Sequence, residues 1–274
     1  MIFRKNRNYF PILSLLFSGI LFYSFTQIHT PVKADDEKYK VIKVSGKIEF
    51  KESGTLLKQG DVFTAKTELE FKTPESRAAV ISPGKGRFIL TASNSKGKSS
   101  NLIPAMNTVE TRGGSILNLI QLQTIFSENL VILNKLKLII GKQAFPMNDD
   151  HFFYLEYMID NDTIYKKLEY NADTLLLNPK NIFRVDQEEI EIPERKIMIL
   201  YYRNEKENKT LRVAEFEAIM PDMIQFKSEI KILIENLKDT KSKKKLSEIL
   251  AFISDFYGHP DKENVSEYIQ KNFK

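Results

Sequence analysis

Apolar and polar positions alternate with a period of two in short runs between Tyr39 and Phe216, and with a period near 3.6 beyond Pro221-Asp222. The first pattern belongs to strands with one buried face, the second to amphipathic helices. Val41–Val44, Lys47–Phe50, Leu69 with Phe71, and Ala78–Ile81 read as strands; Ser82-Pro83-Gly84-Lys85-Gly86 then turns the chain into a further strand over Arg87–Leu90. After Gly113-Gly114 the spacing of Ile116, Leu119, Ile120 and Gln123 predicts a connecting helix within Ser115–Phe126. A second β-rich stretch starts with Leu130–Ile140. Phe152–Ile159 and Ile164–Tyr170 flank an Asx-rich turn at Asp160-Asn161-Asp162-Thr163, Thr174–Leu177 and Ile182–Val185 read as shorter strands around Asn178-Pro179, and Lys196–Arg203 pairs with Thr210–Phe216.

Three helical stripes close the chain: Phe226, Ile230, Leu233, Ile234, Leu237; then Leu246, Ile249, Leu250, Ile253, Phe256; then Val265, Tyr268, Ile269, Phe273. Gly258 is a natural stop for the second and Asp261 a cap for the third. Short helices of this kind need a partner surface, so they are expected to pack on one another or on the preceding sheet. The expected fold is mainly β with C-terminal α, segregated α+β. It comprises a β domain at 35–112, a connecting helix at 113–128, a second antiparallel β domain at 129–219 and a helical segment at 220–274.

Residues 1–34 follow a different logic. Arg4, Lys5 and Arg7 precede an apolar run from Pro11 to Phe25, and Val32-Lys33-Ala34 fits a small-residue cleavage site. Fifteen residues of helix span about 22 Å, short of the ~30 Å hydrocarbon core. A cleaved export signal, cut between Ala34 and Asp35, is therefore expected; an uncleaved membrane anchor is the alternative. Export to the periplasm or beyond follows from the first, with no permanent membrane span after processing. The chain has no cysteine, so neither a disulfide nor a lipidated thiol is available.

Charge changes meaning once that segment is set aside. The formal net charge is +5, yet residues 35–274 carry 37 Lys and Arg against 36 Asp and Glu. A nearly neutral body gives no compositional support to nucleic-acid binding, which needs a basic face against phosphates.

The sequence Val44-x-Gly46-x-Ile48, Leu57-x-x-Gly60-Asp61-x-Phe63, Leu69-x-Phe71, Ser76-x-Ala78-x-Val80, Gly86-x-Phe88-x-Leu90 resembles the FecR-type domain of bacterial envelope proteins, over about residues 40–112. The resemblance implies an envelope-facing β module. FecR-family regulators add a cytoplasmic anti-sigma segment, which is not expected here because ten residues precede the apolar run. Gly60-Asp61 itself reads as turn chemistry, with glycine supplying a positive φ and aspartate a local side-chain bond.

Candidate chemistry is sparse. Ala92-Ser-Asn-Ser-Lys-Gly97-Lys98-Ser99 fits a relaxed phosphate-loop pattern, but Pro104 forbids the helix that a phosphate loop must open, so no nucleotide is expected. His29, His151 and His259 are far apart, so no metal or cofactor is expected either. Asp149 and Asp150, with Asp160 and Asp162, are turn formers first. Their functional alternatives are a weak cation or sugar site and, for Asp149, Asp150 and Glu156, a carboxylate hydrolase, which requires two carboxyls about 5–9 Å apart. Phe152, Tyr154 and Glu156 should point to one side of their strand and Phe153, Leu155 and Tyr157 to the other. Such aromatics serve core and cross-strand packing or a stacking surface. Lys243, Lys244 and Lys245 sit where a helix start disfavours cations, as a solvated loop or a contact for an acidic surface. The candidate interaction surface from sequence is thus Tyr154, Tyr157, Lys243, Lys244 and Lys245, with no catalytic residue assigned. The expected role is non-catalytic binding or structure in the bacterial cell envelope, with an envelope protein or polymer as partner. The alternatives are the hydrolase and a sensory partner of a membrane signalling protein.

Overall fold

The computed structural model describes residues 37–83, 85–92, 101–104, 115–238 and 240–273, the 101–104 stretch as backbone only. Of these residues 41% are strand and 24% helix, so the chain is mainly β with a helical C-terminal segment. The Ala34–Asp35 junction, His29, Gly113-Gly114 and nearly all of the Ala92–Ser99 loop lie outside the described residues.

The first part holds β1 (Lys38–Ser45), β2 (Ile48–Phe50), β3 (Val62–Thr64), β4 (Leu69–Phe71), β5 (Arg77–Ser82), β6 (Gly86–Thr91) and β7 (Asn101–Pro104). Five of these form an antiparallel sheet in the order β3-β1-β5-β6-β7, while β2 pairs with β4 beside it. Alternation along the strands gives this sheet two buried faces. Val41, Ala78, Val80 and Leu90 close a small core with Tyr39, Ile48, Leu57, Phe63 and Leu69; Ile42, Ala79 and Ile81 face the other way. A bulge between Val41 and Lys43 leaves Ile42 unpaired, which lets consecutive apolar residues serve both layers. Gly60-Asp61 is a structural corner. Gly60 has φ +88°, its N–H donates to Val41 O at 2.9 Å, and the Asp61 carboxylate accepts from Lys58 N at 2.7 Å.

The second part follows with α1 (Leu119–Ile125), β8 (Asn129–Val131), β9 (Leu136–Ile139), β10 (His151–Ile159), β11 (Asp162–Lys167), β12 (Glu169–Asn171), β13 (Thr174–Leu177), α2 (Pro179–Ile182), β14 (Arg184–Val185), β15 (Glu188–Glu189), β16 (Arg195–Asn204) and β17 (Lys209–Ile219). The tail adds α3 (Met223–Asn236), α4 (Ser242–Phe256), β18 (His259–Pro260) and α5 (Lys262–Asn272). A six-stranded sheet in the order β11-β10-β16-β17-β8-β18 packs one face on the three-stranded sheet β12-β13-β9 and on α1. Phe153, Leu155, Met198, Leu200 and Phe216 meet Leu136, Leu138, Leu175, Leu177, Leu122 and Phe126 there.

Three local expectations are revised. The helix expected within Ser115–Phe126 starts only at Leu119, because the Asn118 side chain caps it by accepting from Gln121 N at 2.9 Å. Asn178-Pro179 does not link two strands directly: Asn178 caps, and Pro179 opens, a single helical turn over Pro179–Ile182, as proline's fixed φ and missing N–H favour at a first helical position. The second sheet is also not wholly antiparallel, since β8 runs parallel to both β17 and β18.

The helical tail returns to the first sheet. Phe226, Ile230, Leu233, Ile249, Phe252, Ile253, Val265 and Tyr268 share one core with Ile42, Ala79 and Ile81 and with Val131, Leu133 and Ile219 from the second. Basic side chains of the first sheet meet acids on the helices at this junction. Lys43 Nζ donates to Glu229 Oε1 and to the Tyr257 hydroxyl, each at 2.9 Å, and that hydroxyl donates to Glu229 Oε2 at 2.5 Å. Arg87 pairs with Asp255, and Arg77 lies 4.9 Å from the centre of the Phe256 ring. Burial raises the Glu229 carboxyl above its ordinary 4.5, with Tyr257 and Lys43 opposing it, and burial together with the Glu229 carboxylate raises the Tyr257 hydroxyl above its ordinary 10.

Candidate interaction surface

The six-stranded sheet leaves its other face to solvent over β11, β10, β16 and β17. Strand register sets the side chains of that face in rows. One row reads Lys167, Tyr154, Tyr201, Arg212, and the next reads Tyr165, Glu156, Ile199, Glu215. Phe152, Arg203 and Thr210 form a row beyond the first, and Met158 opposite Thr163 with Ile197 opposite Glu217 lie beyond the second. A bulge between Leu200 and Tyr201 sends both Val213 and Ala214 inward, and so brings Arg212 and Glu215 together in an ion pair across it.

Aromatic rings hold the centre. Tyr154 and Tyr201 stack with centroids 5.0 Å apart at 12°, Tyr165 meets Tyr154 at 6.1 Å and 63°, and Phe152 lies 6.4 Å from Tyr154. The Lys167 ammonium sits 4.1 Å from the centre of the Phe152 ring. Tyr165 is 63% exposed, Ile197 62% and Met158 45%, so the rings and aliphatics make one continuous amphipathic patch. Burial raises the Tyr154 phenol pKa, against the pull of Thr210, and burial together with the Glu156 carboxylate raises that of Tyr201.

The predicted residues divide. Tyr154 is on this surface and Tyr157 is not: it is 2% exposed and its hydroxyl donates to Ile182 O at 2.6 Å inside the core, with its pKa pushed up to about 12 by burial. Three residues along a strand always reverse the side of the sheet. Lys243 and Lys244 are exposed on the first turn of α4, while Lys245 is half-buried and donates to Lys238 O at 2.9 Å. The lysines belong to the helical tail, apart from the rings in the chain's order of elements.

The acids take structural places. Asp150 pairs with Lys206 at 2.7 Å, and Asn148 Oδ1 accepts from both Asp150 N and His151 N in the turn before β10. Glu156 lies six residues further along extended chain, about 20 Å away, so neither Asp149 nor Asp150 pairs with it across a 5–9 Å gap. Among the described residues there is no group of three or more His, Asp or Glu that could hold a metal ion. A cavity of about 450 Å³ lies between α1, β9 and α5. On its walls Lys137 pairs with Glu267 at 2.6 Å, and Asp261 caps Asn264 N at 2.8 Å.

Phe152, Tyr165, Ile197 and Ile199 were not singled out by sequence as surface. The signal for them was present in the period-two pattern and in the hairpin turn at Asp160-Asn161, which sets Tyr165 opposite Glu156. Comparison with protein-family models and with curated proteins found no match. No helix among the described residues is long and apolar enough to cross a membrane.

Proposed function

We propose that the chain is an exported bacterial cell-envelope protein with a non-catalytic binding or structural role, exerted through the ring-lined outer face of its six-stranded sheet. The single observation behind the role is that face: Phe152, Tyr154, Tyr165 and Tyr201 with Ile197, Ile199 and Met158 on the solvent side of the strands, Tyr165, Ile197 and Met158 exposed and the others half-buried. Contiguous apolar patches rimmed by charge mark interaction sites, and rings already locked by their neighbours lose little freedom when a partner arrives. Export is supported by the basic-then-apolar leader and the Ala34 site, and the envelope setting by the resemblance to FecR-type domains.

Fractionation of the native cells, with N-terminal sequencing of the purified protein, tests the setting; a start at Asp35 in the periplasmic or extracellular fraction is expected. For the role, envelope material retained by wild-type protein is compared with that retained by Tyr165→Ser/Ile197→Ser. Undiminished retention by the variant removes the face from the proposal.

A further inference from the structure

The outer face carries a polarity that its rings alone do not require. The rows of Tyr154 and Phe152 bear Lys167, Arg203 and Arg212, whereas the rows of Ile199 and Ile197 bear Glu156, Glu215 and Glu217. Each set keeps one counter-ion at its outer margin, Glu205 on Arg203 at 3.1 Å and Arg195 on Glu217 at 2.8 Å, and the two sets touch where Arg212 pairs with Glu215. One end of the patch is therefore cationic and aromatic, the other acidic and aliphatic.

Resting on the reading of this face as the contact surface, we propose that its partner is a second copy of this chain, docked face to face about a two-fold axis lying across the strands between the Tyr154–Tyr201 row and the Glu156–Ile199 row. Such an axis reverses strand direction, so each strand lies over its own copy and the cationic rows of one subunit meet the acidic rows of the other. Arg212 and Glu215, paired with each other within one subunit, then face Glu215 of the partner subunit and Arg212 of the partner subunit in a cluster of four alternating charges, and the Phe152 ring faces Met158 of the partner subunit. An isologous contact of this kind needs a surface complementary to itself, and opposed charge at the two ends of one patch supplies that.

Two further features agree. Ile197, Ile199 and Met158 extend the rings into an apolar strip, and a centre of Tyr, Met and aliphatic residues with arginine at its edge has the composition of a protein contact. A glycan would use the rings and leave the aliphatics without a partner. The area is adequate for a weak dimer. Nine residues of β10 span about 30 Å and four strands about 19 Å, so the two copies would together cover roughly 1,100 Å², at the low end of specific interfaces.

Sedimentation equilibrium of the native protein, from about 1 to 100 μM, reads this directly. A reversible monomer–dimer equilibrium is expected, with a dissociation constant in roughly the micromolar range. Lys167→Glu/Arg212→Glu makes the face predominantly acidic, with Arg203 the cation left in its rows, and Glu156→Lys/Glu217→Lys makes it predominantly basic, with Glu215 the acid left; circular dichroism and melting confirm that each remains folded. Each alone should dimerise at least tenfold more weakly, and an equimolar mixture should restore dimers. A wild-type protein that stays monomeric at 100 μM, or variants that dimerise as wild type does, overturns the inference. If the wild type is monomeric but the variants lose an envelope protein or polysaccharide that it retains, the dimer falls and the contact surface stands. If retention is also unchanged, both fall.

Discussion

Tyr154 and Tyr157 stand three positions apart on β10 and do opposite work. Tyr154 stacks on Tyr201 on the open side of the sheet, while the Tyr157 hydroxyl is buried and donates to the Ile182 carbonyl at 2.6 Å, the last residue of the single helical turn α2. Removing the Tyr157 hydroxyl leaves that carbonyl without this donor, at a cost of about 1–3 kcal/mol. Tyr157→Phe should therefore lower stability by about that much in chemical denaturation, and Tyr157→Ala by about 3–5 kcal/mol through the cavity left beside Phe183. Tyr154→Ser, at a half-buried position on the solvent side of the sheet, should cost clearly less than Tyr157→Ala. Equal losses at the two positions would contradict the assignment of faces.

The contrast shows what sequence could and could not supply. The hairpin at Asp160-Asn161, the hairpin of β16 and β17, the three tail helices and the Asp261 cap all follow from local pattern, because period and turn chemistry act between near neighbours. Pairing Tyr154 with Tyr157 as one surface ignored the same period-two rule. The return of the tail to the first sheet was not legible. Lys43 and Glu229 are separated by 186 positions, and an amphipathic stripe states that a helix needs an apolar partner without stating which. Similarly, the charge polarity of the outer face emerges only when four strands are placed in register.

The Lys43–Glu229–Tyr257 cluster should behave as a buried ion pair. Lys43→Met leaves the Glu229 carboxylate enclosed without its cation, and a loss of about 3–5 kcal/mol is expected, whereas Lys43→Met/Glu229→Leu should recover most of it. Urea melts of the two proteins decide this. The pH dependence has a definite sign. Because the folded-state pKa of Glu229 is raised above 4.5, the folded protein holds this proton to higher pH than the unfolded chain does. Its contribution to stability is then greatest below pH 4.5 and declines as pH rises through the raised value. Glu229→Gln should remove that decline, seen as a flatter stability profile above pH 4.5.

Lysines at the start of α4 oppose the helix dipole, and Lys241 offers no side-chain cap. Lys243→Glu should therefore stabilise the protein by about 0.3–1 kcal/mol, measured as a rise in melting temperature that shrinks in high salt. A loss of stability would show that Lys243 meets an acidic group not accounted for by its exposed position.

Gly258 lies between the C-cap of α4, Tyr257, and the short strand β18, with φ +154°. A Cβ built there would lie 2.4 Å from the Asn129 carbonyl oxygen and 3.2 Å from its carbonyl carbon. That is backbone of β8, the strand on which β18 pairs in parallel at His259–Leu130 and Pro260–Val131, and it cannot swing aside as a side chain would. Gly258→Ala must therefore either part β18 from β8 or twist the end of α4, and a loss of at least about 2 kcal/mol is expected. The loss should come with faster amide exchange at Leu130 and Val131, because the parallel edge opens first. Gly60→Ala is the internal comparison: it carries only the strain of a positive φ, with nothing within 4 Å of an added Cβ, so its cost should stay near 1 kcal/mol. If Gly258→Ala costs no more than Gly60→Ala, the close approach of β8 to the end of α4 is not what fixes glycine at that position.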